Sequence, residues 1–139
     1  MDRPCARVLA RNMTTWMLPG FSCWVLVAVL INCNEDGAER GLVICSAYLP
    51  YNSEDPPPSK ELEELVHYCE TENLHLVTGC DSNAHHTVWG STNCNDKGVT
   101  LVEFLNSTNL EILNQGNVPM FCSNRRMEVI DFTQSPLGF

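Results

Sequence analysis

The most informative segment of the chain runs from Leu74 to Gly90 and reads LHLVTGCDSNAHHTVWG. Its first residues, Leu74 to Val77, predict a buried strand. Gly79 then permits an unusual backbone turn, so that Asp81 and Asn83 would follow just beyond the carboxyl end of that strand. With a spacing of two in an extended segment, both side chains would project from the same side. The stretch therefore predicts a polar loop at one edge of a sheet.

The residues before this stretch predict a hairpin and a helix. Apolar runs at Trp24–Ile31 and Leu42–Leu49 flank a polar segment that contains Asp36-Gly37, a typical hairpin arrangement. The prolines at 56–58 mark a surface loop. Ser59 can then cap a helix with an apolar stripe, which consists of Leu62, Leu65, Val66 and Cys69.

The residues after it predict a second helix at Gly98–Asn106 and strands at Leu110–Leu113, Met120–Cys122 and Val129–Thr133. The predicted order is therefore β-β-α-β-α-β-β-β, an α+β class with a mixed layout rather than a doubly wound parallel one.

Length and composition are those of one globular domain over residues 1–139, with 44% hydrophobic and 18% charged residues. The apolar run Cys23–Ile31 falls short of the roughly 20 residues of a membrane-spanning helix, and no signal-peptide order is visible. We therefore expect an intracellular protein without membrane contact. The net charge of −9 argues against non-specific binding of phosphate backbones, although a bound cation could still mediate contact with a phosphate.

The chain contains eight cysteines, an even number that would suit a disulfide framework. Cys45 and Cys69 lie at apparently core-facing positions, however, and no CxxC spacing occurs. The pattern favours buried free thiols in a reducing compartment.

The polar loop allows several kinds of site. Cys80, His85, His86 and Cys94 could bind zinc, although their spacing is unlike that of known zinc motifs. A carboxylate and an amide at Asp81 and Asn83 suit a phosphodiester hydrolase, since one can orient water or hold Mg²⁺ while the other binds metal or phosphate oxygen. Asp and Asn are also ordinary turn formers. The residues alone leave these alternatives open.

Four motifs in order carry a resemblance to a known family. They are CSAYLPY at residues 45–51, GCDSNAHHTVWGS at 79–91, LEILNQGNVPMF at 110–121 and RRMEVIDFT at 125–133. Together they resemble the endonuclease domain of insect-type, jockey-like non-LTR retrotransposons, which belongs to the endonuclease/exonuclease/phosphatase superfamily. The resemblance extends from about residue 25 to residue 135.

The resemblance implies both a chemistry and a set of site residues. It implies a Mg²⁺-dependent nuclease that nicks DNA for target-primed reverse transcription. Asp81 matches the aspartate that activates or orients water, and Asn83 the asparagine that holds phosphate and metal, so both are expected metal ligands. Tyr48 matches the tyrosine whose hydroxyl approaches the scissile phosphate. Asp131 matches the aspartate that supports a catalytic histidine.

The implied fold is a four-layer α/β/β/α sandwich of two mixed sheets, of which this sequence matches a part. Asn12 is followed by MTTWMLPG rather than by the family's strand and turn, no glutamate precedes Glu35, and no Ser-Asp-His segment is visible. We therefore expect an apparently truncated domain with impaired activity, which self-associates through an exposed sheet edge. The alternatives are an inactive remnant or interaction module, and a small zinc-binding module.

Overall fold

A mixed six-stranded sheet runs through the computed structural model, which describes residues 14–35, 38–113, 121–122, 127–128 and 131–136. In sheet order the strands are β1 (Thr14–Met17), β2 (Leu26–Glu35), β3 (Ala38–Tyr48), β4 (His75–Asp81), β8 (Asp131–Pro136) and β5 (Leu110–Ile112). Strands β6 (Phe121–Cys122) and β7 (Met127–Glu128) pair with each other in a separate two-stranded sheet. Strands β3 and β4 are parallel, and the other pairings are antiparallel.

The predicted hairpin is confirmed as β2 and β3, but its strands are longer than predicted. The ladder continues through the polar residues to the pair Glu35 and Ala38, which leaves only residues 36–37 between the strands. Backbone pairing satisfies N–H and C=O groups whatever the side chains are, so a polar segment can extend a ladder that apolar residues have started.

Two helices cover one face of the sheet. Helix α1 (Lys60–Thr71) begins as predicted, since the Ser59 hydroxyl accepts a hydrogen bond from the Leu62 N–H at 3.3 Å. Helix α2 (Asp96–Asn106) begins two residues before the predicted start, because Asn95 caps it. The buried core between helices and strands includes Leu62, Leu65, Val66, Cys69, Leu101 and Leu105 from the helices, and Val43, Cys45, Ala47, Leu76 and Cys80 from the strands.

The prediction that the central strand ends at Val77 is wrong. Strand β4 continues to Asp81, and Gly79 lies within it, paired with Ser46 of β3. The left-handed backbone conformation occurs instead at Asn83, with φ of 46°. Asn is among the non-glycine residues that adopt this conformation most readily. The turn therefore comes after Asp81 rather than before it.

The end regions of the chain bring one further correction. Strand β1 pairs with β2 in the place where the sequence suggested no strand, and its side chains are all exposed. Four exposed residues show no alternation of apolar and polar side chains, so β1 cannot be predicted from its own sequence and is recognised only by its pairing with β2. The predicted strand at residues 110–113 is confirmed as β5. The strands predicted at residues 120–122 and 129–133 are seen in part as β6 and β8, since residues 120 and 129–130 lie outside the described residues.

The α+β class is confirmed by the mixed sheet, the helices on it and a second, two-stranded sheet. Cys45 and Cys69 are free and buried, as expected, and burial raises the pKa of each thiol to about 12. Both are therefore protonated packing residues at neutral pH. In the described part of the chain, none of the helices has the length and apolar character needed to traverse a bilayer.

Candidate active site

Three of the predicted site residues occupy one row across three adjacent strands. Tyr48 at the end of β3 is in register with Asp81 at the end of β4, and Asp81 pairs with Asp131 at the start of β8. Their strand neighbours Ala47 and Cys80 are buried beneath the helices. Because side chains alternate along a strand, Tyr48 and Asp81 lie on the face of the sheet opposite the helices.

Asp81 is a half-buried carboxylate with unused hydrogen-bonding capacity. Its Oδ1 is inaccessible to solvent and has no hydrogen-bond partner among the described residues. Burial raises the pKa of the Asp81 carboxyl above its ordinary value, and a hydrogen bond from the backbone N–H of Asn83 offsets part of that increase. A buried acceptor without a partner is costly, so this oxygen is suited to a water, a cation or a protonated ligand.

Asn83 is held next to Asp81 by a shared partner. The Asn83 side-chain Nδ2 donates to the Leu49 carbonyl at 3.0 Å, and the Leu49 N–H donates to the Asp81 carbonyl at 2.9 Å. The two site residues therefore both bind the residue that follows Tyr48. The prediction that an extended segment would align Asp81 and Asn83 is wrong, because Asn83 is left-handed and it is Leu49 that brings the two together.

The rest of the loop is braced by its own side chains. The His86 Nδ1 accepts from the Val88 N–H at 3.2 Å, and the His86 ring contacts Trp89 with centroids 5.5 Å apart. Trp89 is 1% exposed, and its Nε1 donates to the Ala84 carbonyl at 3.3 Å. Through these contacts, His86 and Trp89 hold the loop in its observed conformation.

Helix α2 fixes the other side of the loop. The Asn95 Oδ1 accepts from the backbone N–H of His85 at 3.0 Å and of Gly98 at 2.8 Å, while the Asn95 N–H donates to the His85 carbonyl at 3.0 Å. At Gly98 the helix approaches so closely that a Cβ would lie 1.9 Å from the His85 carbonyl oxygen. The first turn of α2 is thus tightly joined to the loop.

The four proposed zinc donors are not brought together. Cys80 is buried in the core and Cys94 is exposed. His85, His86 and these two cysteines all lie in the described ranges, within which no group of three or more His, Cys, Asp or Glu residues could hold a metal ion. The structure therefore does not support the zinc alternative.

The oxygen donors suit a different kind of cation. Mg²⁺ usually takes one or two carboxylates, keeps several waters and completes its shell with substrate phosphates. The unpartnered Asp81 Oδ1 and the nearby Asn83 amide fit such a partial ligand set.

A groove of about 950 Å³ is lined in part by the loop that follows β3. Its lining includes Leu49, Pro50, Ser82 and Lys97, but not Tyr48, Asp81 or Asn83. The groove adjoins the candidate site and is separate from it. It is lined by exposed carboxylates as well as lysines, which suits solvent better than a phosphate.

Three residues organise the site through contacts that the sequence does not predict. Leu49 acts through its backbone, which no pattern could reveal. Asn95 could have been recognised as a helix N-cap, since Asn before a helical pattern is a known start signal. Lys97, whose ammonium group donates to the carbonyls of Pro50, Tyr51 and Ser53, lies just before the predicted start of the second helix, and no local pattern indicates these contacts.

The mixed sheet with its helices indicates the class of protein. The architecture is that of the endonuclease/exonuclease/phosphatase proteins, whose nucleases generally use divalent metal ions. Residues 42–136 match the family model described as "Endonuclease-reverse transcriptase". The chain belongs to this endonuclease–reverse transcriptase family, and its phosphodiester-hydrolase ancestry follows.

Solved structures show the same fold. The endonuclease domain of TRAS1, a telomere-specific non-LTR retrotransposon, matches over 98% of this chain and 66% of its own, with 24% identity and a TM-score of 0.74. The human Nocturnin catalytic domain matches over 97% of this chain and 45% of its own, with 17% identity and a TM-score of 0.50. The chain thus spans less than two-thirds of either relative. No curated protein matches it significantly.

Proposed function

We propose that the chain is the Mg²⁺-dependent phosphodiesterase part of a retrotransposon endonuclease and that it acts on DNA. The observation that carries this proposal is the buried, unpartnered Asp81 Oδ1, which lies in a row with Tyr48 and next to Asn83. Family membership supplies the reaction class. The unpartnered Asp81 Oδ1 indicates that a ligand binds this carboxylate oxygen at the end of β4.

Asp81 is the proposed group that orients the attacking water and accepts its proton. Bound Mg²⁺, held by Asp81 and Asn83, would neutralise charge on the phosphate. The Asp81 Oδ1 has no hydrogen-bond partner among the described residues, so a bound water or cation would satisfy it.

Tyr48 and Asn83 are the proposed phosphate-contacting groups. A phenol hydroxyl and an amide N–H are neutral donors, so they can stabilise the charge that develops on phosphate oxygens without attracting a counter-ion. Asp131 is the proposed carboxylate that orients a histidine, the role that the resemblance gives it. Its register opposite Asp81 supports a position in the same site.

A supercoiled-plasmid nicking assay tests the proposal. Wild-type chain with Mg²⁺ should convert supercoiled to open-circular plasmid, and chelation by EDTA or the change Asp81→Ala should abolish the conversion. Tyr48→Phe should lower the rate while leaving DNA binding intact. Equal background from wild type and Asp81→Ala, at matched folded concentration by circular dichroism, would refute catalysis and favour a non-catalytic interaction module.

A further inference from the structure

Lys97 makes an unusual set of contacts next to the candidate site. Its ammonium nitrogen donates to the carbonyl oxygens of Pro50 at 3.4 Å, Tyr51 at 2.6 Å and Ser53 at 3.4 Å. It also lies 5.8 Å from the centroid of the Tyr51 ring. An ammonium group has three donors, so these three carbonyls can use all of them.

The position of Lys97 in its helix indicates that these contacts matter. It is the second residue of α2, where the positive end of the helix dipole disfavours a cation. The side chain is also half-buried, which adds a desolvation cost. Asp96 reduces the first cost, and the three carbonyls offset the second. The three carbonyl contacts are therefore the best explanation for a lysine at the second position of α2.

The segment that Lys97 binds is the continuation of the strand that carries Tyr48. Residues 50–58 include four prolines and form no regular strand or helix, so the hydrogen bonds of helices and sheets do not satisfy their carbonyls. Leu49, at the start of this segment, contacts both Asp81 and Asn83. A shift of Pro50 and Tyr51 would therefore be passed directly to Tyr48 and Asn83.

The same helical turn also anchors the second loop of the site. Asn95 and Gly98, on either side of Lys97, contact His85 through hydrogen bonds and close packing. One turn of α2 therefore holds the loop after β3 by Lys97 and the loop after β4 by Asn95.

We propose that Lys97 is a positioning residue, which holds the loop after β3 in register with the loop after β4 so that Tyr48 and Asn83 meet the same phosphate. This role rests on the proposed function. It requires no contact between Lys97 and the nucleic acid, because the ammonium group is occupied by backbone carbonyls.

The test compares Lys97→Met, Lys97→Arg and the matched control Lys60→Met. Lys60 also borders the groove beside the loop, but its side chain is 83% exposed and pairs only with Glu64 among the described residues, at 3.6 Å. Both methionine variants remove one positive charge. Plasmid nicking gives kcat and KM, and hydrogen exchange of peptides covering residues 49–59 reports on the loop.

Lys97→Met should lower kcat about tenfold or more with KM changed much less, since misplacement by about 1 Å can cost as much as 10²-fold. Exchange in residues 49–59 should rise while exchange in α1 stays unchanged. Lys97→Arg should restore most of both, and Lys60→Met should match wild type.

Several results would overturn the role of Lys97. A rise in KM with kcat and loop exchange unchanged would make Lys97 a phosphate contact. Loss of activity in proportion to the unfolded fraction would make it merely structural. If the wild type does not nick DNA, the proposed function is refuted, whatever the role of Lys97. If hydrogen exchange in residues 49–59 is unchanged in Lys97→Met, the proposal that Lys97 holds the loop after β3 is refuted, whatever the function.

Discussion

Replacing Gly98 by alanine should destabilise the protein, although helix propensity alone predicts the opposite. In an unhindered helix, Gly→Ala gains roughly 0.8–1 kcal/mol. Here the added Cβ would lie 1.9 Å from the His85 carbonyl oxygen and 2.6 Å from its carbon. Non-bonded heavy atoms rest at about 3.5 Å, so His85 or the start of α2 must move by more than about 1 Å. Overpacking of this kind costs about 1–3 kcal/mol, and the obstructing atoms are backbone.

We therefore expect Gly98→Ala to lower the free energy of unfolding by about 1–2 kcal/mol in urea titrations followed by circular dichroism. Gly79→Ala is the matched control, since a Cβ there meets nothing within 4 Å and the backbone conformation is ordinary. It should be neutral or stabilising by about 0.4–1 kcal/mol. A Gly98→Ala protein as stable as wild type, or equal losses in both variants, would refute the close approach between α2 and His85.

Three other outcomes are expected. Without divalent ions, Asp81→Asn should be more stable than wild type at pH 7, because burial raises the pKa of the Asp81 carboxyl and the fold therefore favours its protonated form. The difference in the free energy of unfolding should shrink as the pH falls through the folded-state pKa of Asp81. A pH-independent difference in denaturant titrations would contradict this. Asn95→Ala should cost about 1–2 kcal/mol in the same titrations and Asn95→Asp much less, since only the latter keeps the cap. Strand β1 is an edge strand, and its Trp16 side chain is 55% exposed, so we expect the protein to self-associate through this edge. Light scattering should give a mass above 15.6 kDa for the wild type and a lower mass for Trp16→Lys. A monomeric wild type would count against self-association.

Local patterns predicted the elements with strong local causes. Ser59 and the apolar stripe of α1 form a helix for reasons contained within twelve residues, and the structure agrees. The hairpin followed from two apolar runs with a turn between them. The exposed strand β1 has no local sequence pattern that predicts a strand, because its extended conformation depends on pairing with β2.

The candidate site was predictable in its residues more than in its geometry. Four motifs in order identified Tyr48, Asp81, Asn83 and Asp131 through a resemblance, and their catalytic roles remain predictions. The turn was assigned to Gly79 because glycine permits unusual conformations, whereas Asn83 adopts the left-handed one. The contacts of Leu49 and Lys97 join segments distant in sequence through backbone carbonyls, which carry no residue-specific signal.

The insertion of β8 between β4 and β5 has a consequence for the order in which the protein folds. The β2–β3 hairpin and the β3–α1–β4 unit bring together neighbouring parts of the chain, whereas the pairing of Asp81 with Asp131 closes a long loop. Such non-local pairings form slowly. During synthesis, at roughly 5–20 residues per second, β4 would wait several seconds with one edge open before β8 could reach it. The row of polar residues is therefore expected to assemble late, after the hydrophobic core beneath it has formed.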